Sequence, residues 1–167
     1  MSRKITGTTF AFVCFTLLCG LLALPAPAQE CSISQVAGKY AAWTQGNVIG
    51  IGPRVSAAIF TLDPSGKVVN GKATSSLNGT VTPELFSGTY LVNPDCTGEL
   101  NVVITDTSNP PNKLFTVTVA IYFDDGGREI RGIFTSAVTV PPPPPPVTNG
   151  TALPTAIVFE ARKIGEQ

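Results

Sequence analysis

The sequence predicts an all-β protein, a single antiparallel meander of about eight strands closed into a small barrel, with a β-sandwich as the alternative. After residue 28, apolar and polar residues alternate with the period of two that is typical of strands, and turn-forming residues interrupt this alternation at short intervals. No segment of that region keeps a helical apolar period, and the 16 glycines and 15 prolines of the chain disfavour helices. Closure is favoured because it leaves no strand edge unpaired.

Residues 1–28 differ in composition from the rest and are typical of an export signal. Two basic residues near the start precede an apolar run, Phe10–Leu24, and small residues at 26–28 fit a cleavage site. The predicted cut follows Ala28, which makes residues 29–167 the exported domain. An uncleaved membrane anchor is the alternative, but the apolar run of roughly 15 residues is shorter than the ~20 that span a bilayer. We therefore expect no membrane insertion after cleavage.

Eight segments of the exported domain fit strands. They are Lys39–Thr44, Val55–Leu62, Lys67–Ser75, Leu85–Val92, Glu99–Thr105, Lys113–Phe123, Arg128–Val140 and Thr155–Lys163. Turns are predicted at Asp63–Gly66, Asn78–Gly79, Asn93–Asp95 and Asp124–Gly127, because Pro presets φ there and Gly or Asn tolerates a positive φ. Before the first strand, Ser32–Val36 fits one short turn of helix.

Hairpin register predicts which strand faces point inward. If Asp124–Gly127 is a four-residue loop, Phe123 lies opposite Arg128, and alternation defines the core face. This face carries Phe115, Val117, Val119, Ile121, Phe123, Ile130, Gly132 and Phe134. The same argument across the turn at 63–66 groups Phe60, Leu62, Val69, Gly71 and Ala73. Glu129 and Arg131 fall on the opposite face and are predicted to be a solvated pair.

Two cysteines, Cys31 and Cys96, remain after removal of the predicted signal. In an oxidising compartment such a pair predicts one disulfide, which would close a long loop. Free thiols or a thiolate nucleophile are the alternative, but the chain has no histidine to activate a thiol. The export signal predicts such a compartment, since it makes the protein secreted, either extracellular or periplasmic.

Charge and composition exclude several classes of function. The 11 basic and 11 acidic side chains balance, and nine basic side chains against 11 acidic ones remain after removal of the predicted signal, a net charge of −2. Nucleic-acid binding needs clustered Lys and Arg, so no nucleic-acid partner is expected. The absence of histidine excludes imidazole bases and His-ligated metal sites.

Three local motifs support chemistry only weakly. The glycine-rich stretch Gly46–Gly52 lacks the Lys and the following helix of a phosphate loop. The acidic turn at 124–125 lacks the ligand spacing of a calcium loop. A glycosidase-like carboxylate pair would have to come from dispersed strand residues, which are Glu99, Glu129 and Glu160. The sequence thus predicts no catalytic residue, no metal ligand and no cofactor.

Pro141–Pro146 is a run of six prolines between the last two predicted strands. Such a run adopts an extended polyproline II rod that cannot donate hydrogen bonds to a sheet. We interpret it as a stiff insertion, with a recognition segment for an aromatic groove as the alternative.

Three segments carry a resemblance to a known group. Ala37–Trp43, Ser87–Gly98 and Gly126–Ile130 together resemble a group of uncharacterised, secreted bacterial small β-barrel proteins. The resemblance implies a lipocalin-like or allene oxide cyclase-like barrel architecture. It implies no catalytic residues.

These observations favour an exported, non-catalytic barrel that binds a small apolar ligand. Tyr40 and Tyr90 are the candidate ligand-lining residues, since each follows a glycine two positions earlier and brings a hydroxyl to an apolar interior. An allene oxide cyclase-like isomerase and a cell-envelope structural or interaction protein are the alternatives. The sequence leaves the oligomeric state open.

Overall fold

The computed structural model describes residues 30–107, 113–139 and 150–165, with residues 113 and 114 described through their backbone alone. The predicted export signal, its cleavage site after Ala28 and the run Pro141–Pro146 lie outside the described residues.

The described residues form a barrel of eight antiparallel strands, in which each strand pairs with its sequence neighbours and β8 pairs with β1. This confirms the predicted meander and its closure. The elements are α1 (Ile33–Val36), β1 (Gly38–Val48), β2 (Gly52–Leu62), β3 (Lys67–Leu77), β4 (Thr80–Val92), β5 (Thr97–Asp106), β6 (Lys113–Asp124), a 3₁₀ turn (Asp125–Gly127), β7 (Glu129–Thr139) and β8 (Thr155–Lys163). Most strands extend beyond the predicted bounds, because hydrogen-bonded pairing continues into the polar residues that flank each apolar run.

The barrel has two different ends. The end that carries α1, here the helix end, also carries the turns after β2, β4 and β6. The turns after β1 and β3, together with the last residues of β5 and β7, lie at the opposite end, here the loop end. Acidic side chains shape two turns of the helix end. The Asp63 carboxylate accepts hydrogen bonds from the backbone N–H groups of Ser65 and Lys67, and the Asp95 carboxylate accepts one from Thr97 N–H.

The predicted disulfide is present and fixes α1 to the barrel. Cys31 and Cys96 are bonded, with their Cα atoms 4.9 Å apart. Cys31 precedes α1, whose first turn is capped by the Ser32 hydroxyl as it accepts from Gln35 N–H. Because Cys96 belongs to the turn between β4 and β5, the bond joins the start of the described chain to the helix end of the barrel.

The inward face of β6 is as predicted. Val117, Val119, Ile121 and Phe123 are buried, and Phe115 packs against them. The register of β6 against β7 differs from the prediction, because Phe123 pairs with Ile130 and not with Arg128. The β6–β7 loop is Asp125–Arg128, one residue later than predicted, and this moves the pairing by two positions. A shift of two leaves every side chain on its predicted face, and Glu129 and Arg131 form the predicted exposed pair, 3.5 Å apart.

The predicted inward position of Val69 is wrong. Val68 is the buried residue, 1% exposed, and Val69 is only half-buried. The pairing of β2 with β3 shifts between Ile59 and Thr61, and Asn70 has a φ of 55°. Asn70 is therefore an extra residue, a β-bulge, which Asn permits because it tolerates positive φ. The bulge reverses the alternation, so that Val68, Gly71 and Ala73 all face inward.

A second bulge bends β7 near the loop end. Val119 pairs with Phe134 and Thr118 with Ser136, which leaves Thr135 as the extra residue. The pairing of β7 with β8 ends before this point, at Ile133. Beyond it, the segment 150–153 pairs with β7 instead, and Leu153 N–H donates to Ala137 O at 2.8 Å.

Candidate functional site

The barrel interior contains a cavity of about 60 Å³, and most of the side chains around it are apolar. It lies among inward residues of all eight strands, namely Ala42, Thr44, Arg54, Ser56, Ala58, Phe60, Val68, Ala73, Glu84, Phe86, Leu100, Val102, Ile104, Val119, Phe134 and Phe159. Small residues explain the space. Ala58 and Ala73 face each other directly on β2 and β3, so neither strand fills the volume between them. The aromatic rings of Phe60, Phe86 and Phe159 pack around the same space.

An ion pair is buried in the wall of this cavity. Arg54 Nη2 donates to both carboxylate oxygens of Glu84, at 3.1 and 3.0 Å, and the Ser75 hydroxyl donates to Glu84 Oε1 at 2.6 Å. The side chains of Arg54 and Glu84 are 6% and 3% exposed. Buried charges are stable only when they are paired and hydrogen-bonded, and the carboxylate of Glu84 meets that condition.

The guanidinium of Arg54 is less completely satisfied. Its Nη1 is buried and has no hydrogen-bond partner among the described residues. The Phe115 ring, with its centroid 5.9 Å from Arg54 Cζ, provides a cation–π contact. Arg54 also lines a second space of about 10 Å³ nearer the loop end, beside Leu153 and Ile157. A buried charged donor without an acceptor raises the free energy of the folded protein. A ligand atom that accepts a hydrogen bond from Nη1 would remove this penalty, which would strengthen binding at this position.

A second polar group lies in the cavity wall. The hydroxyls of Thr44 and Ser56 are 2.8 Å apart, and either one can be the donor. They face each other across β1 and β2, and Ser56 is two residues from Arg54 on the inward face of β2. The cavity therefore has an apolar body with two polar positions.

Sequence reasoning missed Arg54 and Glu84. Each lies one residue before a predicted strand, because the predicted strands begin at Val55 and Leu85. The observed strands β2 and β4 begin earlier, at Gly52 and Thr80. The alternation carried the necessary information. Arg54 has the same parity as the inward Phe60, and Glu84 has the same parity as the inward Tyr90. Extending each strand by one residue would have placed both charges inside the barrel.

Tyr40 and Tyr90, the predicted ligand-lining residues, lie toward the helix end and are not among the residues that line the cavity. The Tyr40 hydroxyl is 2.6 Å from the carbonyl oxygens of both Val36 and Gly127. The Tyr90 hydroxyl donates to Asp63 O at 2.6 Å. Both hydroxyls thus bind backbone carbonyl groups at the helix end of the barrel. A ligand contact at either tyrosine stays a prediction.

Tyr90 and its neighbour Asp63 both have shifted pKa values. Burial, together with the nearby negative charge of Asp63, raises the pKa of the Tyr90 hydroxyl to about 12. Hydrogen bonds from the Ser65 side chain and from backbone N–H groups lower the pKa of the Asp63 carboxyl. The Asp63 turn is therefore most stable when its carboxylate is charged, and Tyr90 is most stable when neutral.

No family model, no curated protein and no solved structure matches the chain. The resemblance to secreted bacterial barrels accordingly stays a prediction. An eight-stranded barrel does not by itself identify a lipocalin-like or allene oxide cyclase-like protein, because one fold hosts many functions.

The described residues contain neither a metal-binding cluster nor a membrane-spanning helix. Within 30–107, 113–139 and 150–165, acidic and cysteine side chains form no group of three that could hold a metal ion. In the same ranges no helix combines the length and the apolar character needed to cross a bilayer. The Cys31–Cys96 bond is consistent with an oxidising compartment outside the cytoplasm.

Proposed function

We propose that the protein is an exported, non-catalytic barrel that binds one small molecule in its interior. The observation that carries this proposal is Arg54 Nη1, which has no hydrogen-bond partner among the described residues and lies in the wall of a mostly apolar cavity. Small closed barrels of eight strands either fill their interior with side chains or hold one small ligand. Here opposed alanines leave space in the cavity that Arg54 also lines, and Arg54 Nη1 has no acceptor among the described residues, which favours the second arrangement.

The size of the cavity limits the ligand. Drug-sized ligands occupy pockets of about 300 Å³ or more, and an engineered cavity of about 150 Å³ accepts benzene. A volume of about 60 Å³ fits a molecule smaller than benzene without displacing side chains. The sequence predicts an apolar ligand. Because of the buried Arg54 guanidinium, we propose an amphipathic ligand instead, with an apolar body and a hydrogen-bond acceptor.

Export is the second part of the proposal. The apolar run Phe10–Leu24 with small residues before the predicted cut supports secretion, and the disulfide supports an oxidising destination. We propose an extracellular or periplasmic protein. The cyclase-like and cell-envelope alternatives stay predictions, since no contact among the described residues favours either.

The test is ligand binding to the mature chain, followed by backbone amide shifts in NMR spectra. The probes are a panel of molecules no larger than benzene, added one at a time. We expect at least one probe to shift amides of cavity-lining residues. The Ala73→Val variant fills the cavity and should weaken that binding, whereas Ala120→Val, on the exposed face of β6, should not.

The proposal is wrong if no probe shifts these amides in a folded wild-type sample. It is also wrong if Ala73→Val and Ala120→Val bind the probe equally well while both remain folded, because binding would then lie outside the cavity.

A further inference from the structure

We infer that the ligand is a short, uncharged molecule with two oxygen functions, a carbonyl-type acceptor for Arg54 and a hydroxyl for the Thr44–Ser56 pair. This inference rests on the proposed function, because it names the chemistry of a ligand in the same cavity. Three observations support it. They are the charge balance of the site, the donor character of Arg54 Nη1, and the Thr44–Ser56 hydroxyl pair in the cavity wall.

The charge balance favours an uncharged ligand. Arg54 and Glu84 are both buried and neutralise each other, with Ser75 as a further donor to the carboxylate. A carboxylate ligand would leave one net negative charge in the interior, and an ammonium ligand would leave one net positive charge next to Arg54. An uncompensated charge is strongly disfavoured in such surroundings.

The free guanidinium atom requires an acceptor. Arginine has N–H donors and no acceptor atom, and none of the described residues accepts from Nη1, so an oxygen or a similar acceptor of a ligand would satisfy it. Glu84 does not accept from Nη1, because both of its oxygens bond Nη2 instead, and Oε1 also accepts from Ser75. A carbonyl oxygen fits because it accepts without carrying charge.

The Thr44–Ser56 pair supplies the second position. Two hydroxyls that bond each other use one of their two hydrogens, and the pair still offers one hydrogen and free lone pairs. Ser56 and Arg54 are inward neighbours on one strand, about 6.6 Å apart along β2 by strand geometry. A chain of a few carbon atoms with an oxygen toward each end spans such a distance and still fits the small cavity.

The experiment compares hydroxyacetone, 2-butanone and propionate, which have equal numbers of non-hydrogen atoms. Binding to the wild-type mature chain is measured by NMR titration, and a crystal soaked in the best probe locates it. We expect hydroxyacetone to bind about tenfold more tightly than 2-butanone, the effect of one net hydrogen bond, and propionate to bind least. The soaked crystal should show the carbonyl oxygen within hydrogen-bond distance of Arg54 Nη1.

A variant isolates the second contact. Ser56→Ala should lower hydroxyacetone affinity about tenfold and leave 2-butanone affinity unchanged. Ser136→Ala, at an exposed position of β7, is the matched control and should change neither. The wild-type comparison of probes needs no variant, so it remains decisive even if Ser56→Ala does not fold.

The outcomes separate this inference from the proposed function. If 2-butanone or propionate binds in the cavity as tightly as hydroxyacetone, the ligand class is wrong and interior binding stands. If the soaked crystal shows the best probe elsewhere in the cavity and only water beside Arg54 Nη1, the inference is likewise overturned. If no probe of any kind binds in the interior, both proposals fail.

Discussion

The hydroxyl of Tyr40 lies 2.6 Å from the carbonyl oxygen of Gly127, 87 residues further along the chain. The same hydroxyl is 2.6 Å from the carbonyl oxygen of Val36, the last residue of α1. One side chain of β1 therefore joins the helix and the β6–β7 turn. Gly127 has a φ of 84°, and a Cβ there would lie 3.1 Å from Val36, so a glycine is needed for this close approach.

Loss of this hydroxyl should destabilise the barrel. In Tyr40→Phe, two buried carbonyl oxygens lose the donor that they share, and we expect the free energy of unfolding to fall by about 1–3 kcal/mol. Urea unfolding measures the change. Tyr122→Phe, at a position 45% exposed, is the control and should change stability by less than about 0.5 kcal/mol. Equal effects of the two substitutions would contradict the role given to Tyr40.

Loss of the disulfide should have a larger effect. The bond closes a loop with a sequence separation of 65 residues. In the chain-entropy model such a cross-link contributes about 4 kcal/mol. The paired variant Cys31→Ser, Cys96→Ser should lose stability of that order, and a reducing agent should destabilise only the wild type. Intact mass before and after reduction tests the bond and, in material expressed with its leader, the cut after Ala28. A reductant-insensitive wild type would contradict the prediction.

The buried ion pair predicts a non-additive double-mutant cycle. Glu84→Gln leaves the charge of Arg54 buried without compensation, and we expect a loss of about 3–5 kcal/mol. Arg54→Met alone leaves the Glu84 charge uncompensated in the same way. Arg54→Met combined with Glu84→Gln removes both charges and should be much less destabilising than the sum of the two single changes. Arg131→Met is the surface control, because its ion pairs are exposed, and should cost less than about 1 kcal/mol. Additive single effects would contradict a tightly coupled pair.

Tyr90 predicts a specific loss of stability at alkaline pH. Its pKa is raised from an ordinary value of 10.0 to about 12 in the folded protein, chiefly by burial. The contribution of the neutral hydroxyl is therefore complete below pH 10 and is lost as pH rises from 10 toward 12. The stability difference between wild type and Tyr90→Phe should shrink across this interval. Ultraviolet absorbance should show an ionisation near pH 12 that Tyr90→Phe lacks, and its persistence in that variant would contradict the assignment.

Much of the barrel could be predicted from sequence because its determinants are local. Alternation in β6 identified the inward face from Phe115 to Phe123, and the acidic and glycine-rich turn after it marked the hairpin. An error of two residues in the register of that hairpin left its core face unchanged, because the side-chain period of a strand is two. The pairing of Cys31 with Cys96 followed from composition once the predicted signal was set aside.

The candidate site was less predictable because its parts come from separate strands. Arg54, Ser75 and Glu84 are far apart in the sequence, and only the pairing of β2, β3 and β4 brings them together. The bulge at Asn70 depends on a single residue with a positive φ, and it overturned the inward assignment of Val69. No apolar pattern reports such a local insertion.

The sequence by itself determined the number of strands, their antiparallel order, the faces of most of them and the partners of the disulfide. These properties depend on turn chemistry and on a period of two, both of which act between near neighbours in the chain. Only the tertiary structure decided that two charges lie inside the barrel and that Tyr40 and Tyr90 bind backbone at the helix end. It also decided that a cavity of about 60 Å³ remains in the interior. Those properties depend on the summed volumes and hydrogen bonds of side chains that are distant in sequence and meet only when the barrel closes.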